Sequence, residues 1–159
     1  MLRLVVALSL LVQCLPTFAQ RVLPNQVDLT AAYCQGVITA KMDGLNRLWI
    51  DLVQPLQHSH PQLAQGHTES VQELQRDLRR IDLYLVPRLS SLRLEGLMTA
   101  KVSGKEDEQL SLDELRQCAT SQQCRPVSDG YSACIAACSK QSAAVRRTER
   151  CTGTAFLPQ

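Results

Sequence analysis

An export signal followed by six cysteines confines this chain to one kind of fold, a small domain stapled by disulfides. Met1-Leu2-Arg3 is a short basic start, and Leu4 to Leu15 is an apolar run. Pro16-Thr17-Phe18-Ala19 then places small residues ahead of a cut after Ala19. This is the layout of a cleaved secretory signal, residues 1–19. Cys14 leaves with it. Cys34, Cys118, Cys124, Cys134, Cys138 and Cys151 stay behind, and an oxidising compartment pairs them. Leu11-Val12-Gln13-Cys14 offers a faint lipoprotein alternative, weakened by Gln13 before the cysteine and by the shortened apolar run it would leave.

The remainder, residues 20–159, has the length of one ordinary domain. Aromatics make up 4% of the chain, so the core must be built from Leu, Val, Ile and Ala. The formal net charge is +2 and loses Arg3 with the signal, which argues against nucleic acid as a partner. No later stretch has the apolar length of a membrane span. No Asn lies in an Asn-x-Ser/Thr triplet, so N-glycosylation is not expected.

The hydrophobic spacing predicts an all-α fold. Asp28 reads as an N-cap, and Leu29, Ala32, Tyr33, Val37, Ala40, Leu45, Leu48, Trp49 and Leu52 recur at helical spacing, giving a helix over 28–53 that Pro55 stops. Ala32, Gly36, Ala40 and Gly44 fall four apart and form a narrow groove of small residues. Each interior Gly costs about 1 kcal/mol relative to Ala, and close approach of another backbone is the simplest compensation. Residues 54–67 read as a polar connector. Ser70-x-x-Glu73 is a capping-box pattern, followed by an apolar stripe of Val71, Leu74, Leu78, Ile81 and Leu85. Pro87 should kink or split this second helix, which carries its pattern on to Leu97. Gly104 to Gln109 is charged and reads as a mobile loop. Ser111-x-x-Glu114 is a second capping box opening a short helix to about Ala119, Thr120 to Gly130 a turn region around Pro126, and Tyr131 to Arg150 a final helix. Phe156 and Leu157 in the tail are available to dock. Joined by the connector, helices 28–53 and 71–97 make an antiparallel hairpin, against which a disulfide-stapled C-terminal helical pair packs.

Cys134 and Cys138 share one face of the final helix, and Cys118 and Cys124 lie on and just past the preceding one. A laced hairpin pairs Cys124 with Cys134 and Cys118 with Cys138, leaving Cys34 for Cys151. Six cysteines allow fifteen connectivities, and this one follows from preferring the laced hairpin. A four-cysteine zinc site is disfavoured because the spacings lack repeated CxxC pairs.

Few constellations can carry chemistry. His58, His60 and His67 lie together in the connector and can in principle chelate copper or zinc. Gly130-Tyr131-Ser132-Ala133-Cys134 comes within one residue of a hydrolase elbow but lacks the last Gly and a preceding strand. Arg76, Arg79 and Arg80 form one basic cluster and Arg146, Arg147 and Arg150 another; neighbouring acids favour a solvated ion-pair surface over contact with an anionic partner. The resulting expectation is an exported helical interaction module, periplasmic or secreted, that binds a protein partner or assembles with itself, with no catalysis and no cofactor. The alternatives are a periplasmic copper- or zinc-binding protein using the His58–His67 connector, and a small hydrolase with an unrecognised site.

Overall fold

The computed structural model describes residues 21–124 and 130–152. The expected leader, the turn segment around Pro126 and the tail residues 156 and 157 lie outside them. Among the described residues the fold is all-α, with no strand beyond an isolated bridge between Val22 and Leu92. Helix α1 spans Gln26–Leu48, α2 Pro61–Leu85, α3 Leu94–Ser121, α4 Tyr131–Gln141 and α5 Ala143–Thr148, and a 3-10 turn, Glu149–Cys151, follows.

The N-cap of helix α1 lies three residues before the expected Asp28. Asn25 is the N-cap and Asp28 the third helical residue, and they bond reciprocally: Asn25 Oδ1 accepts from Asp28 N–H at 2.9 Å, and Asp28 Oδ2 from Asn25 N–H at 3.0 Å. At the other end Pro55 does not stop the chain. A π-helical turn, Trp49–Val53, widens the hydrogen-bond ladder just ahead of it, so that the Gln54 N–H bonds the Trp49 carbonyl five residues back. The ring and the missing N–H of Pro55 fall in the relaxed stretch, and the helical path runs on through Leu56.

Helix α2 claims most of the expected connector, which shrinks to the turn Gln57–His60. Pro61 starts the helix at its first turn, where the absent N–H costs nothing and the fixed φ is already helical. Ser70 is therefore not a cap but sits mid-helix, its hydroxyl donating back to the Gly66 carbonyl at 2.9 Å. The core stripe is as spaced: Leu74, Ile81 and Leu85 are buried. Pro87 ends the helix by a 3-10 turn, Val86–Arg88, and the chain reverses before α3.

Helix α3 is the main departure from the sequence reading. Gly104 to Gln109 is no loop; it lies inside a 28-residue helix, and Ser111 is a buried interior residue, not a cap. Three of the four charges in the run find separate neighbours that fit a helix: Lys105 reaches Asp43 at 4.0 Å, Asp107 bonds Tyr33 and Arg147, and Glu108 turns inward toward Lys41, while Glu106 is exposed. The expected final helix breaks at Ser142, which ends α4 and caps α5 by accepting from the Val145 N–H. The Ser142 hydroxyl donates to Glu114, the glutamate of the second expected capping box.

Helix α1 is the centre of the bundle. α2 lies antiparallel on one side, as contacts of His67 with Leu45, Asp82 with Gln35 and Tyr84 with Asp28 require. α3 lies parallel on another, aligned by the Val22–Leu92 bridge that precedes both helices. The two flanking helices barely touch each other. The small-residue groove is where α3 seats. A Cβ on Gly36 would fall inside the Lys101 carbonyl oxygen and 2.9 Å from its carbon, and one on Gly104 would fall inside the Tyr33 carbonyl oxygen and 2.9 Å from its carbon. Each glycine thus admits the backbone of the opposite helix. Ala32 and Ala40 are buried in the same seam. Three disulfides close the structure: Cys34–Cys151, Cys118–Cys138 and Cys124–Cys134. These are the pairs of the laced hairpin, stapling α4 to the end of α3 and tying α1 to the chain's last described turn. Among the described residues no helix is long and apolar enough to cross a membrane.

Candidate functional site

Because α2 and α3 both pack on α1 and barely touch each other, they leave a cleft of about 1020 Å³ between them. Leu45 and Leu48 of α1, Leu74 of α2 and Leu112 of α3 give it apolar walls, with Gly44 between them. Asp77 and Glu108 also line it, at 5% and 3% exposure. Asp77 lies 3.5 Å from Arg80, an i,i+3 pair on α2. Tyr131, at the start of α4, and Thr152, just past the last turn, complete the rim.

Glu108 is the unusual group. Its Oε2 is buried and accepts no hydrogen bond from any described residue, and the Lys41 Nζ stands 3.9 Å away, beyond hydrogen-bonding reach. Burial pushes the carboxyl above the usual glutamate range, and the Lys41 charge and the Thr148 hydroxyl pull it back only in part. A carboxyl raised in the folded state binds its proton more tightly there than in the unfolded chain. Stability is therefore expected to fall as pH rises from the ordinary glutamate value through that of Glu108. Glu108→Gln should flatten this step and, above it, stabilise the protein by about 1 kcal/mol, the lower end of the cost of an unsatisfied buried polar group. Urea unfolding of both proteins at pH 5 and pH 8 checks this; a variant less stable than the parent at pH 8 contradicts it.

A second polar cluster joins α1, α3 and α5. The Tyr33 hydroxyl donates to Asp107 Oδ2 at 2.8 Å, while Arg147 Nε and Nη2 donate to the same carboxylate at 3.1 and 2.9 Å. The two Arg147 bonds hold Asp107 below its usual value, and burial followed by the Asp107 bond pushes the Tyr33 phenol up to about 12. A hollow of about 350 Å³ beside this cluster is lined by the Cys34–Cys151 pair. The arrangement is a bidentate clamp that docks α5 on the two long helices.

The histidines do not gather. His58 is in the short turn, His60 stands at the N-cap position of α2 with Nδ1 2.9 Å from the Ser59 hydroxyl, and His67 lies in the second turn of α2. His67 Nε2 is 3.0 Å from the Leu45 carbonyl, so this nitrogen carries the proton, and its ring lies 4.8 Å from that of Trp49. Among the described residues no three His, Cys, Asp or Glu side chains are placed to hold a metal ion. The two arginine clusters also part: Arg80 serves Asp77 and Arg147 serves Asp107, while Arg76, Arg79 and Arg150 are exposed and Arg146 bonds the Lys140 carbonyl. Ser132 is exposed on the first turn of α4.

Sequence reasoning missed Glu108 because it sat in a stretch read as loop. A signal was present: Leu97, Gly104, Glu108 and Ser111 follow helical spacing, with no proline between Leu94 and Ser121. Comparison with protein-family models, curated proteins and solved structures returns no match.

Proposed function

We propose that the protein is an exported helical interaction module that receives a segment of a protein partner in the cleft between α1, α2 and α3. The observation that carries this reading is the cleft itself, an apolar-walled groove of about 1020 Å³ with a polar, incompletely satisfied floor. Pockets of this kind, with a few polar groups converging on an apolar wall, are the usual form of a binding site. The stapled frame supports it: disulfides tie α1 to the last described turn and the end of α3 to α4, fixing two of the three walls to the C-terminal segment, which lowers the ordering cost of binding. The small-residue groove is not available for self-assembly at Gly36, where α3 fills it, and Gly44 at its end opens on the cleft. The histidines of the metal-binding alternative lie outside its lining.

A photo-crosslinking amino acid at Leu112, in the cleft, tests the reading against one at Leu83, which is exposed on α2 outside it. The Leu112 position is expected to give one discrete adduct with another protein from the native compartment. Gly44→Trp should abolish that adduct, because Gly44 faces the cleft and its nearest neighbour, Leu112 Cδ1, is 3.8 Å from a Cβ placed there. An adduct equal in yield from Leu83, one untouched by Gly44→Trp, or one consisting of the chain crosslinked to itself would each defeat the proposal.

A further inference from the structure

Resting on that reading, we infer that the cleft selects a basic side chain of its partner, a lysine or arginine whose charged head pairs with Glu108. Glu108 is 3% exposed, lines the cleft, and leaves Oε2 without a hydrogen bond. A buried carboxylate oxygen in this state carries a standing cost that a donor from outside can remove. The resident cation does not remove it: Lys41 is 23% exposed and stands at 3.9 Å, close enough for attraction but not for a hydrogen bond.

The charges around the cleft give the same sign. Four carboxylates line it, Asp51, Glu73, Asp77 and Glu108, against three cations, Lys41, Arg47 and Arg116. Arg116 is shared with Asp113 at 3.5 Å on the exposed surface. The two most deeply placed of the seven charges are both acids. An anionic ligand would bring a third negative charge beside them in a poorly solvated place. Asp77 already has Arg80 at 3.5 Å, so the unmet acceptor is Glu108, and the attraction of an entering cation to it is worth more than it would be in water. The walls fit the rest of such a side chain. Lysine and arginine carry methylene stems that pack on apolar surface while the head reaches a polar group, and Leu45, Leu74 and Leu112 supply that surface.

Amidated five-residue peptides serve as probes: a central lysine flanked by leucines, the same peptide with norleucine, and the same with glutamate. Binding to the intact, oxidised protein is read by calorimetry at low salt and pH 7.5. The lysine peptide is expected to bind about tenfold tighter than the norleucine peptide, equivalent to about 1.4 kcal/mol. Glu108→Gln should erase that difference by weakening the lysine peptide. Lys41→Met should do the opposite and tighten the lysine peptide severalfold, because the incoming cation then has no rival for Glu108. A loss of fold cannot mimic a gain, so this second variant separates binding from stability. Equal affinity for lysine and norleucine, or preference for glutamate, overturns the assignment of a basic side chain yet leaves the cleft as the binding site if Gly44→Trp still blocks the peptides. Absence of binding by all three peptides, or binding indifferent to Gly44→Trp, overturns the assignment together with the reading it rests on.

Discussion

Gly36→Ala is expected to destabilise the protein by more than about 2 kcal/mol, and Gly104→Ala by a similar amount, although alanine is the better helix former. In isolation the exchange gains about 1 kcal/mol in a helix. Here the added carbon at Gly36 meets the backbone of Lys101 and lies 3.0 Å from the Lys105 nitrogen, and the one at Gly104 meets Tyr33 and lies 3.2 Å from the Val37 nitrogen. Flexible side-chain ends yield to such contacts; helical backbone does not, and relief requires α3 to lift off α1. Overpacking alone costs about 1–3 kcal/mol, and separation of this seam also uncovers Val37 and Leu97. Gly44 is the internal control. It belongs to the same four-residue stripe, but a Cβ there finds only Leu112 Cδ1, at 3.8 Å. Gly44→Ala should therefore be neutral or stabilising by up to about 1 kcal/mol. Urea unfolding of the three variants decides the matter: equal effects at Gly36 and Gly44 would mean that the helices do not cross as described.

The contrast within that stripe marks how far residue patterns reach. The spacing of Ala32, Gly36, Ala40 and Gly44 says that something approaches α1 closely, and the hydrophobic period marks α1 and the core face of α2. Neither says what approaches, nor that Gly36 alone meets backbone. The partner, α3, was hidden because Gly104 and four successive charges resemble a loop when their neighbours are unknown. Gly104 is there to be crossed, and Asp107 and Glu108 find partners on α1 and α5, far away in sequence. Capping signals fail for a related reason. Ser70 and Ser111 match the local pattern of a cap, but a serine hydroxyl satisfies itself equally well inside a helix, as Ser70 does on the Gly66 carbonyl. The cysteines were more legible, since their geometry is limited by two helices and a short turn. The cleft was not legible at all. It exists because two helices pack on a third without meeting each other, and its floor joins Lys41 to a Glu108 that was read as part of a loop.

Loss of the Cys34–Cys151 bridge should be the most damaging single change to the covalent framework. By the loop-entropy relation, a closure of 117 residues is worth about 5 kcal/mol, against about 3 kcal/mol for the Cys118–Cys138 closure of 20 and somewhat less for the Cys124–Cys134 closure of 10. Both sulfurs belong to residues at most 1% exposed, so their packing in the core is at stake as well as the entropy. A loss near 5 kcal/mol is a large part of the 5–15 kcal/mol typical of a folded domain. The double variant Cys34→Ser/Cys151→Ser avoids a stray thiol and is the cleaner test. The Arg147–Asp107 clamp and the Ser142–Glu114 hydrogen bond remain to hold α5, but the clamp is partly exposed and contributes only modestly. The segment from α5 to Thr152 should therefore fray first, with early proteolysis after Arg146 or Arg150, followed by a drop in global stability. The cleft should weaken with it, because Thr148 stands beside Glu108 and Thr152 forms part of the rim. Cys124→Ser/Cys134→Ser should leave that wall in place and cost about 2 kcal/mol less. Urea unfolding and limited proteolysis of the two double variants give the comparison. If they lose equal stability, the long closure contributes no more than the short one, and α5 is held on the bundle by its noncovalent contacts.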